Sequence, residues 1–283
     1  MLGTGLGVYI PIALYIVAAL TCILSLVWRP VLGLYLLILV MPQQRLRYRI
    51  DDWPAGGHII VILLVCVIVG AMLKAKFPQK SRLNKVLFFL VGYTFICVLL
   101  GIMFVPNAPF LSRLVQWKDY MVLPALFFAT TAVIRTKKDL ALTLVVLCFS
   151  AFMVHRSFAL EVRTRNFSQF NEDARDVGPL GLGSNHTAAF EAHTAVLLFA
   201  LLASQKRLRN KLILYFVFAV NLYCVLFAFS RAAYLGFFVS MFFLMLMRHR
   251  KWIPVLVLVA VGWQVMLPTA VIQRITMTHS NDG

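Results

Sequence analysis

Runs of apolar residues, each close to a membrane thickness long and joined by short basic links, set the pattern of this chain. A hydrocarbon core of about 30 Å takes around 20 residues of helix, and shorter runs serve where their flanks snorkel. The runs are Leu6–Val27, Val31–Met41, His58–Met72, Val86–Val105, Tyr120–Ile134, Leu140–Val154, Thr187–Ser204, Leu212–Phe229, Ala232–Met247 and Trp252–Leu267. They predict an all-α, polytopic integral membrane protein with about ten transmembrane helices in a single transmembrane domain, residues 1–283. The second run is short and reads as a kinked or half-inserted helix ending at Pro42. The first lacks a basic n-region and a cleavage site, so it reads as a retained span and not as a removable signal peptide.

Composition agrees with the pattern. Hydrophobic residues make up 61% of the chain and charged residues 13%, with a mean hydropathy of +0.87. That is more apolar surface than a soluble domain of this length can hide. The five cysteines, Cys22, Cys66, Cys97, Cys148 and Cys224, fall in separate apolar runs without CxxC spacing, and read as packing residues. Neither a disulfide nor a metal site is expected from them. The net charge of +17 is concentrated in basic clusters at residues 74–85, 135–138, 206–211 and 248–251, which fall on one side of a ten-span topology with both ends outside. The excess charge therefore follows the positive-inside bias and does not imply nucleic-acid binding. Arg45, Arg47 and Arg49 read as an interfacial anchor.

One polar stretch interrupts the pattern, NEDARDVGPLGLGSNHTAAFEAH from Asn171 to His193. It ends the longest predicted outer loop, residues 156–186. The first half of that loop suits either a short helix on the membrane surface or a solvated connector. In the second half, Gly178, Gly181 and Gly183 allow positive φ and close approach of a ligand. Asn185 and His186 stand where the next helix begins, and Asn is a favoured N-cap. The helix N-terminus favours an anion, beside which Arg175 can supply a fixed charge. GPLGLG lacks the GK[ST] ending of a phosphate loop.

Glu191 and His193 lie one to two turns inside an apolar span. An ionisable residue at that depth faces protein or a water-filled cavity and needs a partner. Arg231 is the candidate. It lies in Phe229-Ser230-Arg231-Ala232, in the middle of an apolar run too long for one span, so the chain is expected to reverse near Ser230. In the alternative, Arg231 snorkels at a helix end and Glu191 closes a structural ion pair. Neither His186 nor His193 is promoted to catalyst.

Arg175-x-x-Gly178 followed by Asn185 at the head of an apolar helix, then Phe229-Ser230-Arg231-Ala232 between two apolar helices, resembles the paired signatures of the O-antigen ligase and polymerase superfamily. The nearest branch is the O-glycosylation ligases associated with exosortase systems. Ser184 stands where the family pattern has an optional aspartate, and Ala232 replaces the glycine of SRG. The segment from Trp117 to Leu140 is also similar to the helix and basic loop that precede these signatures, and the resemblance spans Trp117 to Arg274.

The resemblance implies a membrane glycan transferase. It takes a glycan from an undecaprenyl pyrophosphate carrier at the outer, periplasmic face of the bacterial inner membrane and joins it to an acceptor hydroxyl of a glycan, lipid or protein. The pyrophosphate is the activated leaving group, so no cofactor and no metal is required in principle. Arg175, Arg231 and Arg274 are the implied pyrophosphate ligands, since arginine binds phosphate oxygens bidentately and keeps its charge. Gly178, Asn185, His186, Glu191 and Ser230 support them, and the general base is unassigned. Ligase and polymerase need the same site.

After the last span, Pro268 to Arg274 resembles the opening of the family's large outer loop, and His279 does not sit in a copy of that loop's histidine motif. The expectation is a truncated or interrupted ligase that binds donor better than it turns it over. Two other classes compete. An anion or lipid transporter would line its route with Arg175, Arg231 and Glu191, but the sequence shows no inverted repeat. A scaffold subunit would tolerate loss of either arginine.

Overall fold

The computed structural model describes residues 6–50, 54–78, 81–104, 109–163, 170, 178–181, 183–248 and 250–277. Twelve α-helices occur among them, with short 3-10 turns at Gly56–His58 and Arg250–Trp252 and no strand. The helices are α1 Leu6–Val27, α2 Pro30–Val40, α3 Gln44–Arg47, α4 Ile59–Leu73, α5 Arg82–Phe104, α6 Phe110–Val133, α7 Lys137–Val162, α8 Ser184–Ser204, α9 Leu208–Phe227, α10 Arg231–Arg248, α11 Ile253–Met266 and α12 Thr269–Thr276.

All ten apolar runs are helical, and among the described residues seven helices are long and apolar enough to cross a membrane. An eighth span results if α11 and α12, bent by 103° at Pro268, count together. The protein is a multi-pass, all-α membrane protein. Two of the ten runs fall short for physical reasons. Pro30–Val40 is too short, and α6 carries Arg113, Lys118 and Asp119 in its first half, so its apolar part is less than a span. The loop expected at residues 156–186 starts later, because α7 continues to Val162.

The described residues divide into two compact units, residues 1–41 with 46–147 and residues 42–45 with 148–283. In the first, α1, α2 and α4 pack on one another and α4 also packs on α6. Leu34, Leu37, Leu63 and Val67 are fully buried at that centre, with Ala129 and Val133 from α6. Small residues let the backbones approach, as in membrane bundles generally. A Cβ on Gly70 of α4 would lie 2.3 Å from the Ser25 carbonyl oxygen of α1. By contrast α5 leans mainly on α6, through Trp117 Nε1 donating to Thr94 Oγ1 at 3.1 Å and a Phe95–Trp117 ring contact at 5.1 Å. Its phenylalanines Phe88 and Phe89 are exposed, as suits a helix facing lipid.

In the second unit α8 is the central helix, packing along both α9 and α10. It presents Ala188 and Ala192, both buried, and these admit Phe158 and Val162 of α7, Cys224 of α9 and Ala233 of α10. Met241, Met245 and Leu256 join α10 to α11. The break at residues 228–230 separates α9 from α10, where the sequence expected the long apolar run to be interrupted.

Gly70→Val should destabilise the first unit by about 1–3 kcal/mol, because the contact it meets is backbone and cannot rotate away. Gly92→Ala, where a Cβ meets nothing within 4 Å, should instead raise stability by about 0.5–1 kcal/mol through its gain in helix propensity. Thermal unfolding of both variants in detergent checks the pair.

Candidate functional site

The glycine-rich approach to α8 is built as the residue types demand. Gly178, Gly181 and Gly183 have φ of 71°, 64° and 102°. At Gly178 the need is double, since a Cβ there would lie 2.7 Å from Thr187 Oγ1 in the first turn of α8. The turn closes with Gly181 N–H donating to the Gly178 carbonyl at 3.1 Å. The expected Asn185 cap is corrected: Gly183 occupies the cap position without a side-chain cap bond, and α8 begins at Ser184. Asn185 is one residue into the helix and does different work, its Oδ1 accepting a hydrogen bond from Ser230 Oγ at 3.2 Å. His186 is exposed beside it.

Ser230 belongs to the break between α9 and α10. Phe229 has φ 49°, a left-handed conformation that costs a bulky residue about 1–3 kcal/mol. Packing holds it there. The ring is fully buried against Phe170 at 5.2 Å and Phe227 at 6.0 Å, with Ala270 and Val271 of α12. Its carbonyl accepts from Arg274 Nε at 3.2 Å, and the Arg274 guanidinium lies 4.8 Å from the Phe170 ring centre. Tyr234 adds a tie across the break by donating to the Leu226 carbonyl at 2.5 Å. Arg231, the first residue of α10, is exposed immediately after Ser230.

Asn185, Ser230 and Arg274 are thus brought together around the 228–231 segment, with Arg231 on the same segment. Arg175 and His279 lie outside the described residues.

The partner expected for Glu191 is corrected. Glu191 is fully buried in α8, and its Oε2 lies 2.5 Å from His155 Nδ1 of α7 and accepts from Asn221 Nδ2 of α9 at 2.6 Å. Asn221 Nδ2 also lies 3.1 Å from the Glu191 carbonyl, 3.2 Å from Thr194 Oγ1 and 3.3 Å from His155 Nδ1. The physical reason is register: Glu191 is about 10 Å along α8 from its start, while Arg231 stands at the head of α10 with its side chain exposed. His193, two residues on, is exposed, with Nδ1 2.7 Å from the Ala189 carbonyl.

Cys224 completes the cluster, its thiol donating to the His155 carbonyl at 3.3 Å. One donor atom from each of His155, Glu191 and Cys224 lies within 4.8 Å of the others, and all three residues are buried, so these are the residues able to hold a metal ion among those described. Sequence reading passed over His155 because it stood just beyond the expected end of its span, and took Cys224 for packing. The available signal was Asn221, a polar residue alone in an apolar run, with Cys224 three positions later on the same helical face.

No protein-family model, curated protein or solved structure matches the chain.

Removing one partner of the buried pair, by Glu191→Ala or His155→Ala, should cost about 3–5 kcal/mol. Arg231→Ala, at an exposed helix start, should change stability by less than about 1 kcal/mol. Unfolding of the three variants in detergent tests the assignment, and equal losses in all three would restore Arg231 as the partner.

Proposed function

We propose that this protein is a membrane glycan transferase of the O-antigen ligase type, acting on an undecaprenyl pyrophosphate-linked glycan at the periplasmic face of the bacterial inner membrane. The observation that carries the reading is the Ser230–Asn185 hydrogen bond, which joins the two segments whose sequences suggested the family, at a break that Arg274 also braces.

The chemistry asks for little else from these residues. The acceptor hydroxyl oxygen forms the new bond to the anomeric carbon and gives up its proton to a base or to the departing pyrophosphate, the bond from that carbon to the pyrophosphate oxygen breaks, and negative charge grows on the leaving group. Cations placed beforehand at that oxygen lower the barrier. Arg231 is the exposed charge at this position and Arg175 the second expected ligand. Arg274 acts on the backbone that presents Arg231. A lipid-linked donor reaches such a site laterally from the bilayer. The acceptor, whether glycan, lipid or protein, brings the hydroxyl, and polymerisation would need the same pyrophosphate site.

Binding of a short-chain undecaprenyl pyrophosphate glycan analogue to the purified chain tests the reading against Arg175→Ala and Arg231→Ala. Loss of one charge-assisted contact, about 1.5–3 kcal/mol, should weaken binding roughly 10- to 100-fold in each variant while helicity and elution volume stay unchanged. Equal binding by all three proteins would make the arginines structural and return the chain to the transporter and scaffold classes.

A further inference from the structure

We propose that His155, Glu191 and Cys224 form a binding site for a divalent d-block ion, with Zn2+ as the natural occupant, inside the helix bundle of the second unit. The proposal does not rest on the glycan-transfer reading.

Three observations carry it. The first is the donor set. An imidazole, a carboxylate and a thiol come from α7, α8 and α9, and a donor atom of each lies within 4.8 Å of the others. Nitrogen, oxygen and sulfur together suit Zn2+, whereas Mg2+ and Ca2+ take oxygen ligands. The second is hydrogen-bond satisfaction. His155 Nε2, Glu191 Oε1 and Asn221 Oδ1 are all buried without a hydrogen-bond partner, in residues that are fully buried. Buried side-chain polar atoms are nearly always partnered, and an ion bound through His155 Nδ1 would engage the two acceptors, Glu191 Oε1 and Asn221 Oδ1, while His155 Nε2 stays outside its shell. The third is charge. A divalent ion held by the Glu191 carboxylate, the Cys224 thiolate and neutral His155 has no net charge, so it can be carried among apolar helices.

Binding follows ordinary exchange. The ion is held by the Glu191 carboxylate, neutral His155 and the Cys224 thiolate, and the protons these groups give up leave to solvent. The His155–Glu191 contact, 2.5 Å, opens by about 1 Å, since ligands at tetrahedral Zn2+ stand some 3.3–3.8 Å apart. Asn221 already bonds Glu191 through Nδ2 and orients it, and its Oδ1 is available as a fourth donor. An ion so enclosed ties the C-terminal part of α7 to α8 and α9, directly beneath the head of α8 and the 228–230 break.

The test uses the full chain purified in detergent. After dialysis against metal-free buffer it should keep about one zinc per chain, as a closed structural site does. X-ray absorption at the zinc edge should show one sulfur beside nitrogen and oxygen ligands. Replacement by Co2+ should give a sulfur-to-cobalt charge-transfer band in the near ultraviolet, absent in Cys224→Ser, and Asn221→Ala should weaken metal affinity by about 10- to 100-fold. Wild-type protein that holds no zinc and gives no cobalt band overturns the proposal. So does a zinc shell without sulfur, a result that needs no variant to fold, or a full-strength band in folded Cys224→Ser.

Discussion

A carboxyl group carried into a bundle of apolar helices has no water to solvate it, and must be answered by other side chains of the protein. Glu191 imposes that requirement on the second unit. It is met from two other helices, by His155 on α7 and Asn221 on α9, and Thr194 extends the network one turn further along α8. Groups so placed allow little sliding or rotation, because any shift leaves a buried polar atom without its partner. In a membrane, where apolar side chains gain little by leaving lipid for protein, such a network and close backbone packing supply the specificity that water would otherwise enforce.

The surroundings of the network are consistent with that role. Ala188, Ala192 and Ala195 give α8 a shallow face along which its neighbours settle, and polar residues sit among these small ones. The network lies about two turns from the ends of the helices that carry it, since His155 precedes the end of α7 by seven residues and Glu191 follows the start of α8 by seven. The segments at those ends, the glycine turn and the 228–230 break, are therefore mounted on a registered core. The strained φ of Phe229 persists for the same reason: its ring is buried and its carbonyl is engaged by Arg274.

Much of this was legible in the sequence, and the misses have physical causes. Apolar runs give helices because a bilayer leaves the backbone no other way to satisfy its hydrogen bonds, so every run was placed. The break at Ser230 followed from length, and the positive φ of Gly178, Gly181 and Gly183 from residue type. The partner of Glu191 did not follow, because charge complementarity pointed to Arg231 while three-dimensional register selects His155, 36 positions earlier. Hydropathy ended α7 at Val154, although Arg156 and Glu161 sit on the last turns of the same helix, where long side chains reach the interface. Asn185 was placed at the right helix end in the wrong role, since Gly183, with φ 102° and ψ 156°, a conformation that favours glycine, already supplies the non-helical residue from which α8 starts.

The same contrast between buried and exposed separates the two described arginines of the candidate site. Arg274 is buried, with Nε committed to a carbonyl and its guanidinium plane beside Phe170, so its charge serves the backbone at Phe229. Arg231 is exposed at the start of α10, directly after the residue that Asn185 holds. A buried cation that orders a strained turn and an exposed cation presented by that turn are complementary. The first braces the turn that carries the second, and of the two only the second is exposed. The proposed transfer therefore makes different demands on the two residues, although a motif written as a set of arginines treats them alike.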